Sequence, residues 1–147
     1  QAIQFLHEHG KVHRDIKPGN VMVDRNDQIK LLDFGIATAL DEVSGQGLGI
    51  CGTPHYMSPE QIMMDYIDHR TDIYSLGCLL YSVYTGDVPY PEGNVYVQHQ
   101  EAPIPDPRER VPTLADGVAT VLMRCLAKDR DERYQRASDV AEALTAT

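Results

Sequence analysis

Four side chains in two short stretches could together handle an anion and a metal. The run His13-Arg14-Asp15-Ile16-Lys17-Pro18-Gly19-Asn20 brings a carboxylate, an ammonium and a carboxamide close along the chain, and Asp33-Phe34-Gly35 adds a second carboxylate. Moving a phosphoryl group onto a hydroxyl needs a carboxylate to position the nucleophile, cations to neutralise phosphate charge, and oxygen ligands to hold those cations. Asp15, Lys17, Asn20 and Asp33 make up such a set. Mg2+ is a hard ion that takes carboxylate, amide, phosphate and water oxygens, so Asn20 and Asp33 suit it. Singly, each residue has an ordinary explanation, since an Asp before a turn is usually a cap and an Asn-Val pair usually opens a strand. The eight-residue run together with Asp-Phe-Gly on the far arm of one hairpin is too specific for those explanations.

The elements that must position these groups can be read from periodicity. Ala2, Phe5, Leu6 and His9 share one helix face, and Gly10 is a natural left-handed stop. Val21-Met22-Val23 and 29–32 are short apolar runs separated by Asp24-Arg25-Asn26-Asp27, which predicts a hairpin. From Thr38 to Gly52 glycines and polar residues follow no period, as in a mobile loop. Ile73, Leu76, Gly77, Leu80, Val83 and Tyr84 recur at helical spacing over 71–85, with Leu79 beside them, and so broad a stripe predicts a central helix. Most of the nine prolines crowd between Asp87 and Pro112, leaving room for one short helix over 94–100. Thr113-Leu114-Ala115-Asp116 has capping-box spacing ahead of Val118, Val121, Leu122, Cys125 and Leu126. Ser138 is a candidate cap for a last helix carrying Val140, Ala141 and Leu144.

Composition narrows the classes of function. The chain has 147 residues, enough for one ordinary core, and 13 basic against 22 acidic residues give a net charge of −9. Nucleic acid and anionic membrane are therefore poor candidates as main partners. No apolar stretch has membrane-spanning length and no signal peptide opens the chain. Cys51, Cys78 and Cys125 are odd in number and form no CxxC motif, so buried reduced thiols and a soluble, cytoplasmic setting are expected. The first residue, Gln1, already lies in a helical pattern, which suggests a piece of something longer.

The run around Asp15, followed by Asp33-Phe34-Gly35, resembles the protein kinase family. The resemblance implies an α+β fold, a mainly helical kinase-like C-lobe with a small β-hairpin carrying the catalytic and Asp-Phe-Gly segments. It implies ATP as co-substrate, Mg2+ or Mn2+ as cofactor, and protein substrates with Ser or Thr acceptors. By the same likeness Asp15 and Lys17 are catalytic, Lys17, Asn20 and Asp33 meet the nucleotide, and Asn20 and Asp33 hold the metal. Lys17 is similar to the serine/threonine rather than the tyrosine branch, and an ammonium there can neutralise the moving phosphate. Gly52-Thr53-Pro54-His55-Tyr56-Met57-Ser58-Pro59-Glu60 looks like the end of a kinase activation segment, with Ser58 where many members have Ala. Thr53 would then contact Asp15 and Lys17. Glu60 is expected to pair with Arg133, in a stretch where Arg130 replaces the proline of many relatives. Asp72 is expected to hold the backbone at His13-Arg14. His13 and Phe34 match the C-lobe part of the regulatory spine, and Gly35 completes the structural set. Arg14 implies a phosphate on the activation loop, for which Ser44 is the candidate.

The likeness is strongest to bacterial kinases of the eukaryotic type and covers residues 1–147 as a partial kinase domain. The family's N-lobe, with its glycine-rich loop, strand lysine, partner glutamate and hinge, has no counterpart here. The chain alone is thus expected to be inactive and to bind Mg-ATP poorly. A pseudokinase scaffold is the alternative from a non-enzyme class, opposed by the intact Asp15, Lys17, Asn20 and Asp33. A small-molecule phosphotransferase of the same fold is opposed by the segment 52–60.

Overall fold

The computed structural model describes residues 1–32 and 53–147, together with the backbone of Thr38 and Ala39. Helix α1 (Ala2–Glu8) is followed by Gly10 at φ +68°, a left-handed backbone conformation that a residue with a Cβ rarely adopts. Of its predicted inner face only Leu6 is buried. Phe5 is 62% exposed and its ring stacks on His9 at 4.1 Å. Strand β1 (Lys11–Val12) follows, then residues 13–17, a 3-10 turn over Pro18–Asn20, and the hairpin of β2 (Val21–Val23) and β3 (Ile29–Leu31). Its register pairs Val21 with Leu31 and Val23 with Ile29. The turn is tied by Asp24, whose Oδ1 accepts the N–H of Asn26 at 2.8 Å and of Gln28 at 3.1 Å.

Thr38 and Ala39, expected to open a loop, instead form β4 (Thr38–Ala39), antiparallel to β1 with Val12 opposite Thr38. Backbone pairing has no apolar period to announce it in two residues. The rest of the predicted loop, including Cys51, lies outside the described residues.

The helical part is built round α3 (Arg70–Thr85), which ends at Gly86 with φ +85°. The predicted stripe is only partly right. Ile73 is fully buried, with Leu76 and Leu80 packed beside it against Val121, Cys125, Tyr134 and Val140. Val83 and Tyr84, however, are 69% and 39% exposed, while Tyr74, Cys78 and Tyr81 are fully buried. The reason is that α3 is covered on two sides. α6 (Asp116–Cys125) and α7 (Ala137–Thr145) take one flank, and Tyr56, Ile104 and Leu126 meet Tyr74, Cys78 and Tyr81 on the other. At Gly77 a Cβ would stand 2.7 Å from Cys125 Cβ, so glycine lets α3 and α6 approach. Both described cysteines, Cys78 and Cys125, are buried and free, and burial pushes the Cys125 thiol up to about 12.

Helix α2 (Pro59–Ile62) precedes α3, and α4 (Val95–Glu101) and the unforeseen α5 (Pro107–Arg110) run between α3 and α6. Asn94 caps α4 and Asp106 caps α5, with Pro107 at the first helical position where its missing N–H costs nothing. Two expected caps do not form. α6 begins at Asp116 with Ala115 at the cap position, so Thr113 falls too early. Ser138 lies inside α7, and its N–H is taken instead by Gln4 Oε1 of α1 at 3.1 Å. Ala143, not Ala141, joins Leu144 against the core.

His99 of α4 is fully buried between Tyr74 and Tyr90, with the Tyr74 hydroxyl 2.8 Å from its Nδ1. Burial, reinforced by the Lys128 charge, lowers its pKa to about 4. In the unfolded chain histidine titrates near 6.5, so between those values the unfolded state binds the extra proton and folding weakens as pH falls. Urea unfolding should show a loss of roughly 3 kcal/mol from about pH 6.5 to about pH 4 that His99→Gln flattens. An unchanged pH slope in His99→Gln would exclude His99 as its source.

Candidate active site

The run His13–Asn20 is shaped by one carboxylate. Asp72, in the first turn of α3 and fully buried, accepts the His13 N–H at Oδ2 and the Arg14 N–H at Oδ1, both at 2.8 Å. Its Oδ2 also lies 2.8 Å from His7 Nε2 of α1. Arg14 sits at φ +70°, a left-handed conformation that a non-glycine residue adopts only when its surroundings hold it there. Gln61 adds a further hold, its Nε2 donating to the Arg14 carbonyl at 2.9 Å. His13 accepts the Asp15 N–H at Nδ1 (3.2 Å), so its Nε2 carries the proton and donates to the Leu32 carbonyl at 2.9 Å. The ring thus links the catalytic run to the end of β3, immediately before Asp33.

Asp15, 6% exposed, is fixed through one oxygen. Its Oδ2 takes Lys17 Nζ at 3.2 Å and Asn20 Nδ2 at 3.2 Å, while the same Asn20 amide donates to the Asp15 carbonyl at 2.8 Å. Oδ1 is buried and has no partner among the described residues. A carboxylate oxygen so placed can accept one more hydrogen bond, as from a hydroxyl. Lys17 Nζ also donates to Thr53 Oγ1 at 2.9 Å, drawing in the residue that begins the described part of the activation segment. Asn20 is buried with its amide nitrogen turned inward, which leaves its carbonyl oxygen as a possible metal ligand. Among the described residues no three His, Cys, Asp or Glu side chains form a metal cluster by themselves. Asp33, Phe34, Gly35 and Ser44 lie outside the described residues, so their expected roles have no geometry here. Arg14 is buried beside this group.

A second arrangement braces the segment after Thr53. Arg133, fully buried, donates from Nη1 to Glu60 Oε1 at 2.7 Å and from Nη2 to Glu60 Oε2 at 2.8 Å. Its other donors reach the carbonyls of Ala127, Arg70 and Lys128 at 2.8, 3.1 and 3.0 Å, and its guanidinium lies 4.9 Å from the Tyr74 ring centroid. Every N–H of the fork is used, which suits a buried cation. Thr71 donates to Glu60 Oε1 at 2.7 Å and meets the Ser58 hydroxyl at 3.0 Å. Ser58 and Gln61 form a capping box that starts α2.

Gln61, His7 and Thr71 take part without standing in any of the motifs. Ser58-Pro59-Glu60-Gln61 carries the capping-box pattern and could have been read as such. His7 and Thr71 offered no signal, because their partners lie 65 and 11 residues away.

Burial works against the Glu60 carboxylate, but the Arg133 fork and Thr71 outweigh it and lower its pKa. The stabilisation is therefore present above the unfolded value of about 4.3 and is lost as acidification titrates the folded carboxylate. Removing either partner strands a charge and should cost about 3–5 kcal/mol, with strong non-additivity in the double mutant. Equilibrium unfolding of Glu60→Gln, Arg133→Met and the double variant checks this, and additive losses would show that the pair does not interact.

With that geometry established, comparison with known proteins is informative. Residues 1–145 match the protein kinase domain family. The serine/threonine-protein kinase PknB of Mycolicibacterium smegmatis is 40% identical over 151 aligned residues, covering 98% of this chain and 24% of that protein. PknB of Mycobacterium tuberculosis gives the same identity and coverage. A probable serine/threonine-protein kinase of Clostridium acetobutylicum is 40% identical, covering 99% of this chain and 23% of its own length. The chain thus spans about a quarter of these relatives. Its catalytic run, its buried Glu60–Arg133 pair and these likenesses agree: the chain belongs to the protein kinase domain family, of the bacterial serine/threonine type.

Proposed function

We propose that residues 1–147 are the catalytic-loop lobe of a serine/threonine protein kinase, and that the whole protein transfers the γ-phosphoryl of ATP to Ser or Thr hydroxyls of protein substrates. The observation that carries this reading is the state of Asp15. One oxygen is immobilised by Lys17 and Asn20 and the other is buried with no partner among the described residues, as a group awaiting a hydroxyl would be.

In this reading Asp15 Oδ1 accepts the hydrogen bond of the substrate hydroxyl and orients its oxygen. Lys17, held between Asp15 and Thr53, places an ammonium where charge on the transferring group must be neutralised. Asn20 and Asp33 would hold a divalent metal such as Mg2+, which would supply charge neutralisation on the phosphates. Thr53 ties the substrate-receiving segment to Lys17. Arg14 is assigned to a phosphorylated activation segment, with Ser44 as its phosphosite. Adenine contacts and the remaining phosphate contacts are assigned to a partner lobe outside these residues, which leaves the chain alone inactive. The acidic balance and the free, buried Cys78 and Cys125 support a cytoplasmic setting without nucleic-acid partners.

In the full-length protein, Asp15→Ala should lower kcat by about a hundredfold to ten-thousandfold while leaving the KM for ATP nearly unchanged, because the aspartate acts on the acceptor and not on the nucleotide. Steady-state phosphorylation of a generic basic protein measures both parameters. Near-normal turnover would refute the assignment.

A further inference from the structure

One buried histidine has no part in the transfer step as read above, yet it lies against the segment assigned to the acceptor. His99 of α4 is fully buried, with Nδ1 2.8 Å from the Tyr74 hydroxyl and Nε2 without a hydrogen-bond partner among the described residues. Its helix packs against the 3-10 turn Pro54–Tyr56, which directly follows Thr53. The carbonyls of Pro54 and His55 stand close enough to the ring to favour a proton on it, although burial and the Lys128 charge keep it from becoming an imidazolium near neutral pH. A neutral imidazole carries one proton. Carbonyls can only accept, whereas the Tyr74 hydroxyl can donate to Nδ1, so the proton belongs on Nε2. That tautomer satisfies Nδ1 and leaves Nε2–H as a buried donor for the Pro54 and His55 carbonyls.

The surrounding structure holds the ring still. Tyr74 and Tyr90 stand edge-on to it at 5.6 and 5.1 Å. Lys128 Nζ closes the end of α4, donating to the carbonyls of Gln98 at 3.0 Å and His99 at 2.8 Å and to the Tyr90 hydroxyl at 2.9 Å. The Lys128 carbonyl is in turn held by Arg133 Nη2 at 3.0 Å. On the other side, the turn is tied at both ends: Thr53 Oγ1 accepts from Lys17, and the Tyr56 carbonyl accepts from Ser75 Oγ at 2.6 Å. Pro54 and His55 lie between those ties, beside His99.

We propose that His99 is a positioning residue for phosphoryl transfer, its Nε2–H facing the Pro54 and His55 carbonyls and steadying the turn on which the acceptor segment of a protein substrate is seated. This rests on the reading of the chain as a kinase lobe. No bond from Nε2 is closed in this conformation. A donor opposite two acceptors in a buried site attracts them over a range of positions, and so follows the turn as it adjusts to a substrate. The effect belongs to substrate binding, and neither to nucleotide binding nor to the chemical step.

Two substitutions in the full-length protein separate this role from packing. His99→Gln keeps an amide N–H near the place of Nε2 but loses the ring, and His99→Phe keeps the ring but has no donor. The KM for a generic basic protein should rise about tenfold in His99→Phe, as for one lost hydrogen bond, and stay within about twofold in His99→Gln, with kcat and the KM for ATP little changed in both. Amide hydrogen exchange needs no turnover. The N–H groups of Tyr56 and Met57, which bond to the Thr53 and Pro54 carbonyls, should exchange faster in His99→Phe than in the parent and in His99→Gln, while α6 amides keep their protection. An unchanged KM for the basic protein in His99→Phe, equal exchange in all three proteins, or a larger disturbance in His99→Gln than in His99→Phe would overturn the proposal. A parent protein without Asp15-dependent turnover would overturn the kinase reading instead, and the exchange pattern would still decide whether His99 steadies the turn.

Discussion

The site depends above all on the Asp72 carboxylate. A fully buried anion is costly, and here it is compensated by two backbone N–H donors, by His7 and by its place in the first turn of a sixteen-residue helix whose dipole favours negative charge. What the protein gains is a backbone it could not otherwise hold. With Arg14 at φ +70°, the chain reverses so that the buried Asp15 carboxylate turns toward Lys17 and Asn20. Without an acceptor facing both amides, the left-handed residue would relax and Asp15 would lose its aim.

The same turn of α3 supports the activation segment. Consecutive residues divide the work: the Arg70 carbonyl accepts from Arg133, Thr71 bridges Ser58 and Glu60, and Asp72 holds the catalytic loop. Gln61 crosses from α2 to the Arg14 carbonyl and closes the circuit. Positions 53–61, the catalytic loop and the C-terminal helices are therefore referred to one rigid element. That rigidity comes from packing on both flanks of α3, where Gly77 admits α6 closely on one side and Tyr74 fills the other. Catalytic groups need placement to within fractions of an ångström, and a doubly packed helix is a suitable reference for them.

Much of this was legible in the sequence, for a physical reason. Asp15, Lys17 and Asn20 act on one another within a few residues, so their association is encoded locally, and the hairpin after them is announced by alternation and by the Asp24–Asp27 turn. The expected Glu60–Arg133 and Asp72 contacts were long-range and came from resemblance, since nothing in their spacing dictates them. Periodicity is a poor guide to α3 because a helix buried on two sides has no single stripe: Val83 and Tyr84 fit the period yet are exposed, and Tyr81 falls outside it yet is fully buried. Capping patterns at Thr113 and Ser138 misled because tertiary packing chose other starts, in one case by lending Gln4 of α1 to α7. The two-residue pairing of β4 and the reach of His7 to Asp72 have no local signature at all.

The central claim is that Asp72 holds the catalytic loop in place, and amide hydrogen exchange at His13 and Arg14 tests it most directly. In Asp72→Asn the side-chain oxygen can still accept one amide, but its NH2 group faces the other with donor against donor. Both amides should then exchange much faster than in the parent protein, while core amides of α6 keep their protection, marking a local opening. His13 and Arg14 amides as protected in Asp72→Asn as in the parent would contradict the account.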